Sequence, residues 1–233
     1  MHRKSFVLSR YAWKILTVCT SLGGVLFSCI YARRDGYSHW GRRLLYFTAQ
    51  SNIWIGITML LLIIALSKKS KTNFLRKRLK TLYLLRYIFT VSITVTGLVF
   101  CGLLAPFADE SYHVWSAASV MTHVLAPVFA VTDFFADKTP FPLTRKHIFA
   151  TVLPPIAYFS LAGVLEAFSV DFGRGVPYPY FFLNFRSPAG IFGFSSALPF
   201  IMGTFYWIFL LGSMMLGISA LYARLTKDKK ARK

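Results

Sequence analysis

Residues 114–132 read VWSAASVMTHVLAPVFAVT, an apolar run without Asp, Glu, Lys or Arg and with His123 at its midpoint. A run of this length suits a helix that crosses a bilayer. An ionisable side chain at that depth is costly, so it is a functional-site hypothesis by default. Histidine is also the side chain that best exchanges a proton near neutral pH. The plainer alternative is a histidine satisfied by its surroundings, with Ser119 and Thr122 nearest along the chain.

The remainder of the chain extends this reading. Its 233 residues are 55% hydrophobic and 15% charged, with a mean hydropathy of +0.53; a soluble domain carries about 25% charged residues. Six apolar runs, 15–32, 46–66, 82–105, 114–135, 148–168 and 199–221, predict an all-α, six-helix transmembrane bundle forming one integral membrane domain over 1–233. Helices are required because lipid leaves an open backbone unsatisfied, and no alternation of short strands suggests a barrel. The first run is expected to be retained as a span. Phe27 fits poorly in a cleavage box at 26–29, and Arg33-Arg34 follow soon after.

The net charge of +19 comes from cations that flank the apolar runs, with no nucleic-acid-binding motif among them. Twenty lie at the N-terminus (four), between runs two and three (seven), between runs four and five (three) and at the C-terminus (six). Six lie on the other side: Arg33, Arg34, Arg42, Arg43, Arg174 and Arg186. The bias predicts both termini in the cytoplasm and contact there with anionic lipid headgroups. Arg86, inside the third run, is expected to snorkel, and Asp133 to form an interfacial ion pair. Cys19, Cys29 and Cys101 have no spacing that indicates a metal site or a disulfide framework. No cofactor is implied.

Two further segments carry candidate chemistry. Residues 169–198, between the last two runs on the extracytoplasmic side, are rich in aromatics and poor in net charge. Loops of this length are usually functional or disordered; this one reads as a lid or re-entrant segment. The second run opens with Thr48, Gln50, Ser51 and Asn52, four polar side chains in five residues. Thr48 and Asn52 share a helix face, as a nucleophile and an oxyanion donor would. Against that, hydroxyls in membrane helices commonly bond back to the preceding turn, and Asn can simply join helices.

Taken in order within six spans, YFTAQSN at 46–52, H-x3-P at 123–127 and PYPYFFLN at 177–184 resemble the androgen-induced-gene membrane proteins, a family that includes the androgen-dependent regulator of tissue factor pathway inhibitor. The YFTAQSN form is more similar to the family's bacterial branch, which implies a bacterial cytoplasmic membrane. Animal members hydrolyse fatty-acid esters of hydroxy fatty acids with an intramembrane threonine and a histidine. Carried over by motif, these are Thr48 and His123, with Gln50, Asn52, Asn184, Tyr178 and Tyr180 as candidates for the substrate or the oxyanion. The chain departs from the animal pattern in three places. Gln50, Ser51 and Asn52 stand where an acidic residue follows the threonine, the histidine stands four residues before the proline rather than five, and Asn184 replaces a glutamate.

The resemblance implies acyl transfer from a membrane lipid ester to Thr48, with His123 as base. Depth is the difficulty. With the second span centred near Ile55, Thr48 lies about 10 Å outward of the level of His123 at 1.5 Å per residue, whereas hydrogen-bonding reach is about 3 Å. Tilt, a shifted boundary or a kink at Pro127 must absorb the gap. Two other readings use the same residues: a proton-coupled carrier with His123 as relay, and a non-enzymatic structural or regulatory membrane protein.

Overall fold

Helix forms wherever the chain has a long apolar run, because only a helix satisfies its own backbone in lipid. The computed structural model describes residues 2–67, 77–108, 113–173 and 175–231, with side chains from Tyr11 to Lys227. Among the described residues, six helices are long and apolar enough to cross a membrane. They are α1 (His2–Ile30, apolar from Tyr11), α2 (Phe47–Leu66), α3 (Leu79–Phe107), α4 (Ala117–Ala136), α5 (Arg145–Ala167) and α6 (Thr204–Ala231). This is a multi-pass membrane bundle. Of the cations that set the expected orientation, Lys68, Lys69, Lys71, Arg76, Arg174, Arg232 and Lys233 lie outside the described residues.

The ends of the helices have local causes. The fourth begins at Ala117 rather than Val114 because the Ser116 hydroxyl caps it, accepting the Ser119 N–H at 3.3 Å. The fifth starts its main segment at Leu153 with prolines in the first turn, where a missing N–H breaks no intrahelical bond. The sixth starts at Thr204 rather than Pro199, since the preceding residues fold back through a bridge between Phe194 and Met202. Both α3 and α4 carry a π-turn, at Phe100–Leu104 and Met121–Leu125.

Helices α1 to α4 make the centre of the bundle. Half of the apolar windows of α2 and α3 are buried, against 17% for α5 and 22% for α6. Small residues let the central backbones approach. Gly56 faces Ser21 and Leu22, Gly24 faces Thr122, and a Cβ on Gly97 would stand 2.7 Å from the carbonyl oxygen of His123. Ile55, Met59, Leu62, Tyr83, Ala126 and Ala130 fill the core below this level.

At the end of the bundle where α1 starts and α4 ends, four charges are buried together. Lys14 Nζ lies 2.7 Å from Asp133 and 2.8 Å from Asp137. Arg86 Nη1 lies 3.0 Å from Asp133 and 3.4 Å from Asp137, and the Tyr83 hydroxyl donates to Asp137 at 3.0 Å. Lys14 and Arg86 are fully buried. Arg86 therefore does not snorkel, and the ion pair of Asp133, one turn from the end of α4, is enclosed by the helices. Two carboxylates within reach hold the guanidinium inside the bundle more firmly than an excursion to water would.

At the other end the chain between α5 and α6 folds onto the helices. Phe172, Phe182 and Leu183 are buried against Tyr158 and Trp207, and Tyr180 stacks on Phe182 with ring centroids 5.0 Å apart.

Candidate functional site

Thr48 is the second residue of α2, preceded by Tyr46 in extended conformation. That position matters for its hydroxyl. Deeper in the helices, the hydroxyls of Thr17, Thr20, Thr94 and Thr122 donate to the carbonyl four residues back at 2.7–2.8 Å. Thr48 has no helical turn behind it to bond to. Its Oγ1 lies instead 3.4 Å from the hydroxyl of Tyr180, which also accepts the Thr48 N–H at 3.3 Å. A polar group at the first turn of a helix sits in the positive end of the helix dipole, which favours developing negative charge.

His123 is held from three sides. Its ring stacks on buried Phe100, centroids 3.7 Å apart and 16° from parallel. Its Nδ1 lies 3.0 Å from the carbonyl oxygen of Ser119 and 3.1 Å from the Thr122 hydroxyl. The Thr122 hydroxyl gives its own proton to Ala118. With a carbonyl as its shortest partner Nδ1 carries the hydrogen, and Nε2 is the bare nitrogen. Thr122 lies with His123 in the π-turn, Ser119 in the helical turn before it, and the carbonyl of His123 rests against Gly97.

One cavity of about 300 Å³ receives both residues. Thr48 and His123 line it together with Tyr180, Ser119 and Thr122, and towards the loop end with Arg43, Asp35 and His113. Arg43 is ion-paired with Asp35, and its guanidinium lies 4.0 Å from the centre of the Tyr37 ring. Burial, reinforced by the neighbouring phenols of Tyr37 and Tyr180, pushes the Tyr46 hydroxyl well above its ordinary pKa. The sequence reading missed Asp35, Arg43 and His113. Arg43 stands three residues before the YFTAQSN segment, and nothing in spacing joins it to Asp35 or His113.

The depth gap takes a specific form. The Asn52 amide donates to the carbonyl of Thr48 at 2.8 Å and to the carbonyl of Thr122 at 3.2 Å. One side chain thus clamps the Thr48 turn to the turn that carries His123. Thr48 stands about one helical turn, roughly 6 Å, outward of that clamp. The described contacts of the Thr48 hydroxyl and of the His123 ring do not include each other.

The other candidates separate by position. Asn52 has both amide hydrogens committed to carbonyls, so it positions the site rather than donating to an oxyanion. Gln50 turns away to the Leu44 carbonyl at 3.2 Å. The Asn184 side chain accepts the Arg186 N–H, and Tyr178 packs edge-on against Phe200. Gln50, Asn184 and Tyr178 do not line the cavity; Tyr180 does.

A second cavity of about 290 Å³ meets the first at Thr48, Leu104 and Tyr180. Its walls come from α2, α3, α5 and α6 and are almost wholly apolar, including Val95, Val99, Ile156, Phe159, Ile208 and Met215.

Compared with protein-family models, curated proteins and solved structures, the chain finds no match.

Proposed function

We propose that the protein is an intramembrane hydrolase of lipid esters, with Thr48 as nucleophile and His123 as general base. The observation that carries this reading is a single cavity lined by a threonine whose hydroxyl is free of helical back-bonding and by a histidine whose tautomer leaves Nε2 without a hydrogen. His123 Nε2 takes the Thr48 proton through water admitted to the cavity that both residues line. The alkoxide attacks the ester carbonyl, the C–O bond to the alcohol breaks, and the alcohol leaves with the proton returned by His123. Water, deprotonated by His123, then opens the acyl-threonine and releases the fatty acid. The Tyr180 hydroxyl, beside Thr48, is placed to donate to the oxyanion, aided by the first turn of α2.

A carrier would need a path past His123 to the far side. There the core of Ile55, Met59, Leu62 and Ala130 and the Lys14–Arg86–Asp133–Asp137 cluster fill the bundle. This favours the hydrolase over the carrier.

The distribution of Lys and Arg supports cytoplasmic termini, with the Thr48–His123 cavity towards the extracytoplasmic side and a basic face available to anionic headgroups. A reporter fused to the C-terminus is expected to be protected from outside reagents in intact cells, and free access to it would reverse the orientation.

A short-chain fluorophosphonate tests the chemistry. It is expected to label purified protein, and labelling is expected to vanish in both Thr48→Ala and His123→Ala. Labelling that survives both substitutions contradicts the assignment.

A further inference from the structure

The apolar cavity asks for an occupant because Thr48 is part of its wall as well as of the first cavity's. Any ester bound with its carbonyl at Thr48 has an acyl arm and an alcohol arm, and two cavities diverge from that residue. One presents Arg43, Asp35 and His113; the other is walled by aliphatic and aromatic side chains from four spans. Two of those spans, α5 and α6, are the least buried of the six, so this cavity stands beside the lipid-facing flank of the bundle.

We infer that the cavity between α2, α3, α5 and α6 is the binding site for the substrate's acyl chain, and that Gly212 sets the chain length it accepts. The inference rests on the proposed hydrolase reading and extends it to the substrate's tail. Lipid tails are as apolar as the walls, so a chain moving in from the bilayer gains little from hydrophobicity. Selection then falls to the volume and shape of the cavity. Gly212 is part of the wall, and a Cβ built there meets no atom within 4 Å. The contrast with Gly24, Gly56 and Gly97 is direct, because each of those permits a close helix contact. At Gly212 the missing side chain leaves open space beside Leu211, Met215 and Leu216.

The test compares Gly212→Phe with Gly217→Phe. Gly217 also has open space around it but is exposed and does not line the cavity. Initial rates are measured on 4-nitrophenyl esters from butyrate to palmitate, beside labelling by the short-chain fluorophosphonate. Gly212→Phe is expected to lose about tenfold or more on palmitate while butyrate hydrolysis and labelling stay near wild type; Gly217→Phe is expected to change neither. Equal losses at every chain length with normal labelling, or no loss at all, overturn the assignment. A second measurement does not depend on catalysis. A diazirine-bearing palmitic acid is photo-crosslinked to Thr48→Ala protein and the adducts are mapped. Adducts on residues 208–216 that disappear when Gly212→Phe is added support the acyl site. Adducts confined to other segments, or unaffected by that substitution, overturn it. If cross-links fall there while wild type neither labels nor hydrolyses, the acyl site stands and the hydrolase reading fails.

Discussion

The two polar regions of this bundle are built on opposite terms. Near the termini, Lys14, Arg86, Asp133 and Asp137 face one another, two positive charges against two negative, with Tyr83 donating to the same carboxylate. Near the loop end, Thr48 and His123 are fixed by neighbours but line a cavity. Polar groups inside a membrane protein are rare and costly in either case. The first region uses them to join α1, α3 and α4, and the second leaves them available. The difference teaches that depth and residue type alone do not mark a site; what marks it is whether a polar atom ends on a partner or on open space.

Substitutions separate the two regions sharply. Thr48→Ala is expected to have the largest effect, a loss of about a thousandfold or more in ester hydrolysis, with the thermal midpoint in detergent unchanged. An activity loss matched by a fall in that midpoint would place Thr48 among the structural residues. Asp133→Ala is expected to do the reverse. It leaves Lys14 and Arg86 with one carboxylate between them and costs about 3–5 kcal/mol of stability, read as a lower midpoint and poor yield, while the folded fraction keeps its specific activity. Retained stability with lost turnover would move the ion cluster into the catalytic machinery.

Smaller effects refine the comparison. Tyr180→Phe removes the hydroxyl beside Thr48 and is expected to lower kcat about a hundredfold, with KM little changed. A wild-type kcat would show that the phenol only packs against Phe182. Asn52→Leu releases the clamp between the Thr48 and Thr122 carbonyls and is expected to lower kcat about tenfold and stability by about 1–3 kcal/mol. A stability loss without any kcat change would leave the clamp a purely structural link.

Much of the architecture was legible because lipid allows few solutions. Apolar run length alone located six helices among the described residues, and the cost of His123 drew attention to a residue that lines a cavity. What stayed hidden depends on contacts across the chain. Lys14 and Asp133 are 119 residues apart, so the snorkelling expected of Arg86 could not be weighed against an internal partner. The roles of Asn52 and Tyr180 were equally obscure. Both belonged to motifs that read as oxyanion donors, yet only packing shows that the amide is committed to two carbonyls while the phenol stands beside Thr48. The π-turns of α3 and α4, which bring Phe100 against His123, leave no periodic signature short enough to read from composition.

The most direct test of the central claim is to locate the covalent adduct. Protein inactivated with a fluorophosphonate is digested and its peptides sequenced by mass spectrometry. The account predicts one modified residue, Thr48, and no adduct when His123 is replaced by alanine. A stable adduct on any other side chain, or turnover that continues with Thr48 quantitatively modified, would contradict it.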